Sequence, residues 1–139
     1  MSDTISLTGV MLDAPDALAL ARFYADLTGG IARGDARWAT VDGPHGYIAF
    51  QQADDYRAPT WPAPDVPMQM HLDFLVDDLD ATGARAIAAG ATLLGHQPNP
   101  DHCFVYADPA GHPFCLSTWD GRTLSDDAEP VPEGGEDRT

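Results

Sequence analysis

The chain has 139 residues, which suits one domain, and 44% of them are hydrophobic, enough for a packed core. Seven basic residues against 22 acidic ones give a net charge of −15, and all seven bases are arginine. This charge disfavours binding to nucleic acid or anionic membranes, and the lack of lysine excludes a Schiff-base or P-loop lysine.

Cysteine use and hydropathy indicate the compartment. Cys103 and Cys115 are too few for the disulfide scaffold of a small secreted protein and are not spaced as a CxxC pair. No run approaches the roughly 20 apolar residues that span a bilayer, and the first ten residues lack a signal-peptide pattern. We therefore expect a cytoplasmic protein with reduced thiols.

The first half of the chain predicts four elements. They are a strand at 5–12, a helix at 17–27 and two further strands at 37–41 and 47–52. Pro15-Asp16 opens the helix and Gly29-Gly30 ends it. Asp42-Gly43-Pro44 is a turn sequence, so the last two strands are expected to form a hairpin.

The second half repeats this order after a proline-rich stretch at about 54–67, which is predicted to be a linker or a lid. Its predicted elements are a strand at 70–76, a helix at 79–89 and strands at 91–94, 104–107 and 114–118. Asp77 and Asp78 favour the helix start, and Gly90 favours its end. Residues 120–139 are acidic and poor in apolar side chains, which predicts a flexible tail.

The two halves can be overlaid on each other. A shift of 62 positions lays residues 72–78 on 10–16, and a shift of 66 lays 114–116 on 48–50. The segments LDAPDALALARFYADLTG, HLDFLVDDLDATGARAIAAGA and VYADPAGHPFCL resemble the vicinal oxygen chelate superfamily, which includes glyoxalase I, bleomycin-resistance proteins, fosfomycin-resistance enzymes and extradiol dioxygenases. APTWP, before the second strand-helix unit, further resembles its glyoxalase-like branch.

The resemblance implies an α+β fold of two tandem βαβββ modules, whose curved mixed sheets surround a cleft. One domain would cover residues 1–119, with the first module at about 5–53 and the second at about 68–119. By analogy with the superfamily, a homodimer is expected, although likeness of fold does not establish function.

Metal-using members of the superfamily take one ligand from the opening strand and one from the closing strand of each module. By the overlays these positions fall on Gly9, Ala49, His71 and Cys115. Glycine and alanine have no donor atom, so we expect neither the usual divalent metal nor another cofactor.

His71, Asp73 and Cys115 leave three interpretations open. They could bind a divalent transition metal in a nonstandard site, since residues 71 and 73 share one face of a strand. They could form a thiol-imidazole-carboxylate catalyst. They could also have structural roles only, with Cys115 as a small buried residue.

Ligand contacts are expected from aromatic residues near the predicted cleft, because flat rings bind organic molecules well. The predicted ligand-binding residues are Trp38, Phe50, Trp61, His71, Asp73, Tyr106 and Cys115. His45, His96 and His112 lie in apparent turns, where exposure is expected, and are assigned no chemistry. Asp108-Pro109-Ala110-Gly111 matches the superfamily's DPxG turn and is interpreted as structural.

The sequence is compatible with three functions. The first is metal-independent binding of a small aromatic or other organic metabolite, or of an antibiotic. The second is an enzyme, either a metal-dependent lyase or isomerase or an acid-base catalyst using His71 with Asp73. The third is a dimeric interaction domain with a vestigial pocket.

Overall fold

A computed structural model describes residues 5–43, 46–119 and 131–132. Pro44, His45 and most of the predicted tail therefore lie outside the described residues. The elements in chain order are β1 (Gly9–Ala14), α1 (Ala17–Thr28), β2 (Ile31–Gly34), β3 (Trp38–Gly43), β4 (Gly46–Gln52), β5 (Leu72–Leu75), α2 (Leu79–Ala89), β6 (Thr92–Leu93), β7 (Cys103–Ala107) and β8 (Pro113–Ser117).

These elements form two mixed four-stranded sheets, each accompanied by one helix. The first sheet has the order β1-β4-β3-β2, and the second has the equivalent order β5-β8-β7-β6. In both, the opening strand pairs parallel with the closing strand, while the other pairs are antiparallel. The predicted α+β architecture of two βαβββ modules is confirmed.

Both helices begin and end at the predicted signals. The Asp16 and Asp78 carboxylates accept hydrogen bonds from the backbone N–H of Ala19 and Ala81, at 3.1 and 3.0 Å. Gly29 ends α1 in the left-handed conformation, with φ of 79°. Each aspartate satisfies a backbone donor that the first helical turn would leave unpaired.

Two strands differ from the sequence expectation. The first strand begins at Gly9 rather than Ile5, because Gly9 pairs opposite Tyr47 and β4 extends only one residue further, to Gly46. Residues 5–8 therefore lie beyond the sheet, and Ile5 is 97% exposed. Strand β2 was not predicted, because IARG lacks an alternating apolar pattern and pairs only along the edge of β3.

One aromatic core joins the two modules. Tyr24 of α1 stacks on Phe50 of β4 at a ring-centroid distance of 5.7 Å. The same ring lies 6.0 Å from Phe114 of β8 and 6.1 Å from Phe74 of β5. Since these rings come from both sheets, the modules share one hydrophobic core.

No helix within the described residues is long and apolar enough to cross a bilayer.

Candidate functional site

Side chains alternate across each sheet, so each sheet has a core face and an opposite face, which we call the site face. In the second sheet Asp73 pairs with Cys115, and both lie on the site face, while their neighbours Phe74 and Phe114 pack in the core. His71 immediately precedes β5 and lies two residues from Asp73.

These three residues form what we call the donor cluster. One donor atom from each of His71, Asp73 and Cys115 lies within 4.8 Å of the other two. The His71 Nε2 to Asp73 Oδ1 distance is 4.0 Å, too long for a hydrogen bond. Both side chains are substantially exposed, whereas Cys115 is buried. The structure thus brings together the three residues that the strand pattern placed on one face.

The Cys115 thiol is in an environment that favours its protonated form. Burial is the largest cause that raises its pKa, and the Cys103 thiol and the Asp73 carboxylate raise it further. Burial also raises the pKa of Cys103. Because the nucleophilic form of cysteine is the thiolate, these surroundings oppose the thiol-imidazole-carboxylate interpretation.

Slow alkylation is the expected consequence. We expect both cysteines of the folded protein to react with iodoacetamide at pH 8 at least tenfold more slowly than glutathione, because burial and a raised pKa both lower the accessible thiolate. Mass spectrometry of quenched samples gives the rates, and the protein in 8 M urea is the control that must react at both positions. Rapid modification of folded Cys115 would contradict this account.

The equivalent positions of the first sheet carry no donor atoms. Met11 pairs with Ala49 as Asp73 pairs with Cys115, and Gly9 corresponds to His71. At Gly9 a side chain is also sterically excluded: a Cβ there would lie 2.8 Å from the Tyr47 carbonyl oxygen and 3.1 Å from two Tyr47 ring carbons. The residues present therefore do not fit the superfamily's four-ligand metal site.

The site face of the first sheet instead combines exposed apolar and aromatic side chains with polar ones, since Asp13 and Gln51 lie on it and are joined by a hydrogen bond of 2.8 Å. Trp38 is 45% exposed and Met11 is 50% exposed, so both large apolar side chains are accessible to a ligand. Tyr47 lies on the same face, directly opposite Gly9, and its hydroxyl contacts Thr8 Oγ1 at 3.3 Å. Sequence reasoning named Trp38 but omitted Met11 and Tyr47 from the ligand-binding set.

The other predicted ligand-binding aromatics lie elsewhere. Phe50 is fully buried against Tyr24, and Tyr106 pairs with Phe114 on the core face of the second sheet. Side-chain alternation therefore places both on the side of the sheet away from the donor cluster, a correction to the expected cleft lining. Trp61 packs against His96, with ring centroids 5.2 Å apart.

A buried polar network, which we call the aspartate network, joins α1 to the turn between β7 and β8. Asp108 is its centre, with a fully buried side chain. Its carboxylate accepts from the Tyr24 hydroxyl at 2.6 Å, from the backbone N–H of Ala110 and His112 at 2.9 and 3.0 Å, and contacts the His112 Nδ1 at 2.9 Å. Tyr56 completes the network, since its hydroxyl lies 3.2 Å from the His112 Nε2.

This network corrects the expectation that His112 is exposed. Its side chain is only 15% exposed, because the imidazole lies between the buried carboxylate and the Tyr56 ring. Burial, together with the charge of Asp108, raises the pKa of Tyr24, so its hydroxyl stays a donor at neutral pH. The structural interpretation of the DPxG turn agrees with this geometry.

The fold and the two modules define the class of the protein, the vicinal oxygen chelate superfamily. Residues 9–117 match the family described as "Glyoxalase-like domain", and the chain belongs to that family. A curated relative, "Putative glyoxylase CFP32" of Mycobacterium tuberculosis, is 41% identical over 58 residues. That match covers 40% of this chain and 22% of the relative, so this chain spans only a small part of its length.

Solved structures share the fold at low sequence identity. The fosfomycin resistance protein FosX from Mesorhizobium loti is 16% identical with a TM-score of 0.63, over 89% of this chain and 99% of that chain. A glyoxalase/bleomycin resistance protein/dioxygenase family enzyme from Burkholderia phytofirmans is 21% identical with a TM-score of 0.61, over 81% and 97% of the two chains. These likenesses establish the architecture alone.

Proposed function

We propose that this protein binds a small aromatic or other organic molecule on its site faces without the divalent metal of its superfamily. The observation that carries the proposal is the exposed apolar part of the site face of the first sheet, Trp38 and Met11, beside ligand positions that are occupied by Gly9 and Ala49. A molecule bound there gains apolar contact but no metal bond.

The second sheet supports the polar half of such a site. The imidazole of His71 and the carboxylate of Asp73 are both accessible to solvent and lie close together. They offer one group that can donate or accept a hydrogen bond and one that accepts. This pairing suits a ligand with an apolar ring and at least one polar substituent.

The affinity for aromatic ligands should therefore depend on Trp38. We expect hits from a thermal-shift panel of aromatic metabolites and antibiotics to bind Trp38→Ala at least about tenfold more weakly, because the exposed indole provides the largest apolar contact. Titration calorimetry gives the dissociation constants. The matched control is Ile5→Ala, an exposed apolar residue that precedes β1, which should leave the dissociation constants unchanged. Hits whose affinity falls in Ile5→Ala and not in Trp38→Ala would contradict the proposal.

A metal-dependent lyase or isomerase is the second candidate, favoured by the 4.8 Å spacing of the donor cluster. The metal content of protein purified without chelator decides between the two candidate functions, because a metal ion bound by all three side chains would be present at one equivalent per chain. Our proposal expects a substoichiometric content of zinc, nickel, iron and manganese, unchanged in His71→Ala and Cys115→Ala. A full equivalent of metal that both substitutions remove would establish the second candidate instead.

We also propose that the chain acts as a homodimer. Ile31 is 57% exposed on the edge strand β2, an apolar surface that a second copy would cover while it leaves Trp38 accessible. Light scattering of the purified protein measures the mass directly, and a monomer at micromolar concentration would contradict this part of the proposal.

A further inference from the structure

A separate recess opens between α2 and strands β6 and β7, on the core-face side of the second sheet. Its volume is about 230 Å³, enough for a compact ligand of one ring and a short chain. Its apolar wall consists of Leu79, Ala84, Ile87, Leu93 and Phe104. Because Tyr106 also lines it and lies on the sheet face opposite Cys115, the recess is distinct from the donor cluster.

The Tyr106 hydroxyl is the first sign that the recess binds a ligand. The residue is only 6% exposed, and its ring stacks on Phe114 at 5.7 Å. Its hydroxyl makes no hydrogen bond to the protein within residues 5–43 and 46–119, and its oxygen is not among the fully buried atoms, so solvent reaches it. Because Tyr106 lines the recess, this accessible hydroxyl is available to a ligand there.

Gly83 makes room for this hydroxyl beside α2. A Cβ at position 83 would collide with the Tyr106 hydroxyl oxygen. Glycine within a helix is less favourable than alanine, and Gly83 lies in the middle of α2. The glycine therefore lets the Tyr106 hydroxyl lie against α2 at the recess, at a position where helix stability alone would favour a side chain.

Asp80 gives the recess a negative charge. Its carboxylate lines the same recess, and it is close enough to contribute to the raised pKa of Tyr106, after burial. Asp77 and Asp78 precede it, so three carboxylates outweigh the partial positive charge of about one half at the start of α2. The whole chain carries −15, which attracts cations and repels anions.

We propose that this recess binds a small primary ammonium ion with a compact apolar body, such as an arylalkylamine. The ammonium group donates hydrogen bonds to the Asp80 carboxylate and the Tyr106 hydroxyl oxygen. The apolar body packs between Ile87 of α2 and Leu93 of β6. This site is independent of the ligand proposed for the site faces.

The probe is 2-phenylethylammonium, titrated into ¹⁵N-labelled protein and followed by two-dimensional NMR. We expect shifts at α2, β6 and β7, with affinity reduced about tenfold or more in Asp80→Asn and severalfold in Tyr106→Phe, the latter keeping the ring. Asp77→Asn removes the same charge outside the recess and should change the affinity by less than about twofold. The neutral analogue 2-phenylethanol should bind wild type and Asp80→Asn equally.

Several outcomes overturn the inference. They are no binding by wild type at millimolar probe, equal losses in Asp77→Asn and Asp80→Asn, or unchanged affinity in Tyr106→Phe. A further variant, Gly83→Ala, should reduce binding while it preserves the helix, as checked by circular dichroism. Shifts confined to residues near Trp38 and His71 would also overturn it, while leaving the function proposed for the site faces intact.

Discussion

Replacing Asp108 with alanine is expected to destabilise the protein by about 3–5 kcal/mol, because the change removes the centre of a buried hydrogen-bonded network. The Tyr24 hydroxyl, the His112 ring and two backbone N–H groups would each lose an acceptor in a site closed to water. Urea denaturation followed by tryptophan fluorescence gives the free energy of unfolding. A loss of this size would unfold many domains of this length at 37 °C.

Two further substitutions distinguish the loss of the aspartate network from the loss of any acidic residue. Tyr24→Phe keeps the ring but removes the hydroxyl that donates to Asp108, so it should lower the free energy of unfolding by about 1–2 kcal/mol. Asp101→Ala removes an exposed carboxylate from a turn and should stay within about 0.5 kcal/mol. If Asp108→Ala unfolds at the same urea concentration as Asp101→Ala, the network does not stabilise the fold as its geometry implies.

The parts of the fold that the sequence predicted are those set by local signals. The helix predicted at 79–89 has the observed bounds of α2, because Asp78 and Gly90 are adjacent to its ends. The two overlays also gave the correct correspondence of strands, since Met11 pairs with Ala49 as Asp73 pairs with Cys115. A duplicated module repeats its apolar pattern, so the shift between the halves is visible in the chain itself.

Features that depend on distant contacts were not predictable. Tyr24 and Asp108 are 84 positions apart, and no spacing rule connects them. His112 follows a turn and has the sequence context of an exposed residue, yet in the fold its ring contacts the Tyr56 hydroxyl. The sequence supplied only a weak signal, the histidine directly after the DPxG turn.

The candidate site was predicted only in part, because strand alternation shows which residues share a face but not which face lies on the core. Alternation along one strand placed His71 and Asp73 together, and the closing strand then placed Cys115 beside them. Alternation also determines which aromatics face the cluster, but a strand pattern cannot tell which of its two faces lies on the core. Phe50 and Tyr106 were assigned to the wrong face because both faces of their strands carry apolar side chains.

Phe114→Ala is expected to cost about 3–5 kcal/mol, because the fully buried ring fills the junction between the two modules and the cavity left behind could not close. Four other rings lie within 6.1 Å of it, centroid to centroid, from both modules: Phe23, Tyr24, Phe74 and Tyr106. Leu75→Ala is the control, since that side chain is exposed and should change the free energy of unfolding by less than about 0.5 kcal/mol. Urea denaturation monitored by circular dichroism and by tryptophan fluorescence should give one coincident transition in both variants, as a shared core requires. Separate transitions, or a small loss in Phe114→Ala, would show that the modules are stabilised independently.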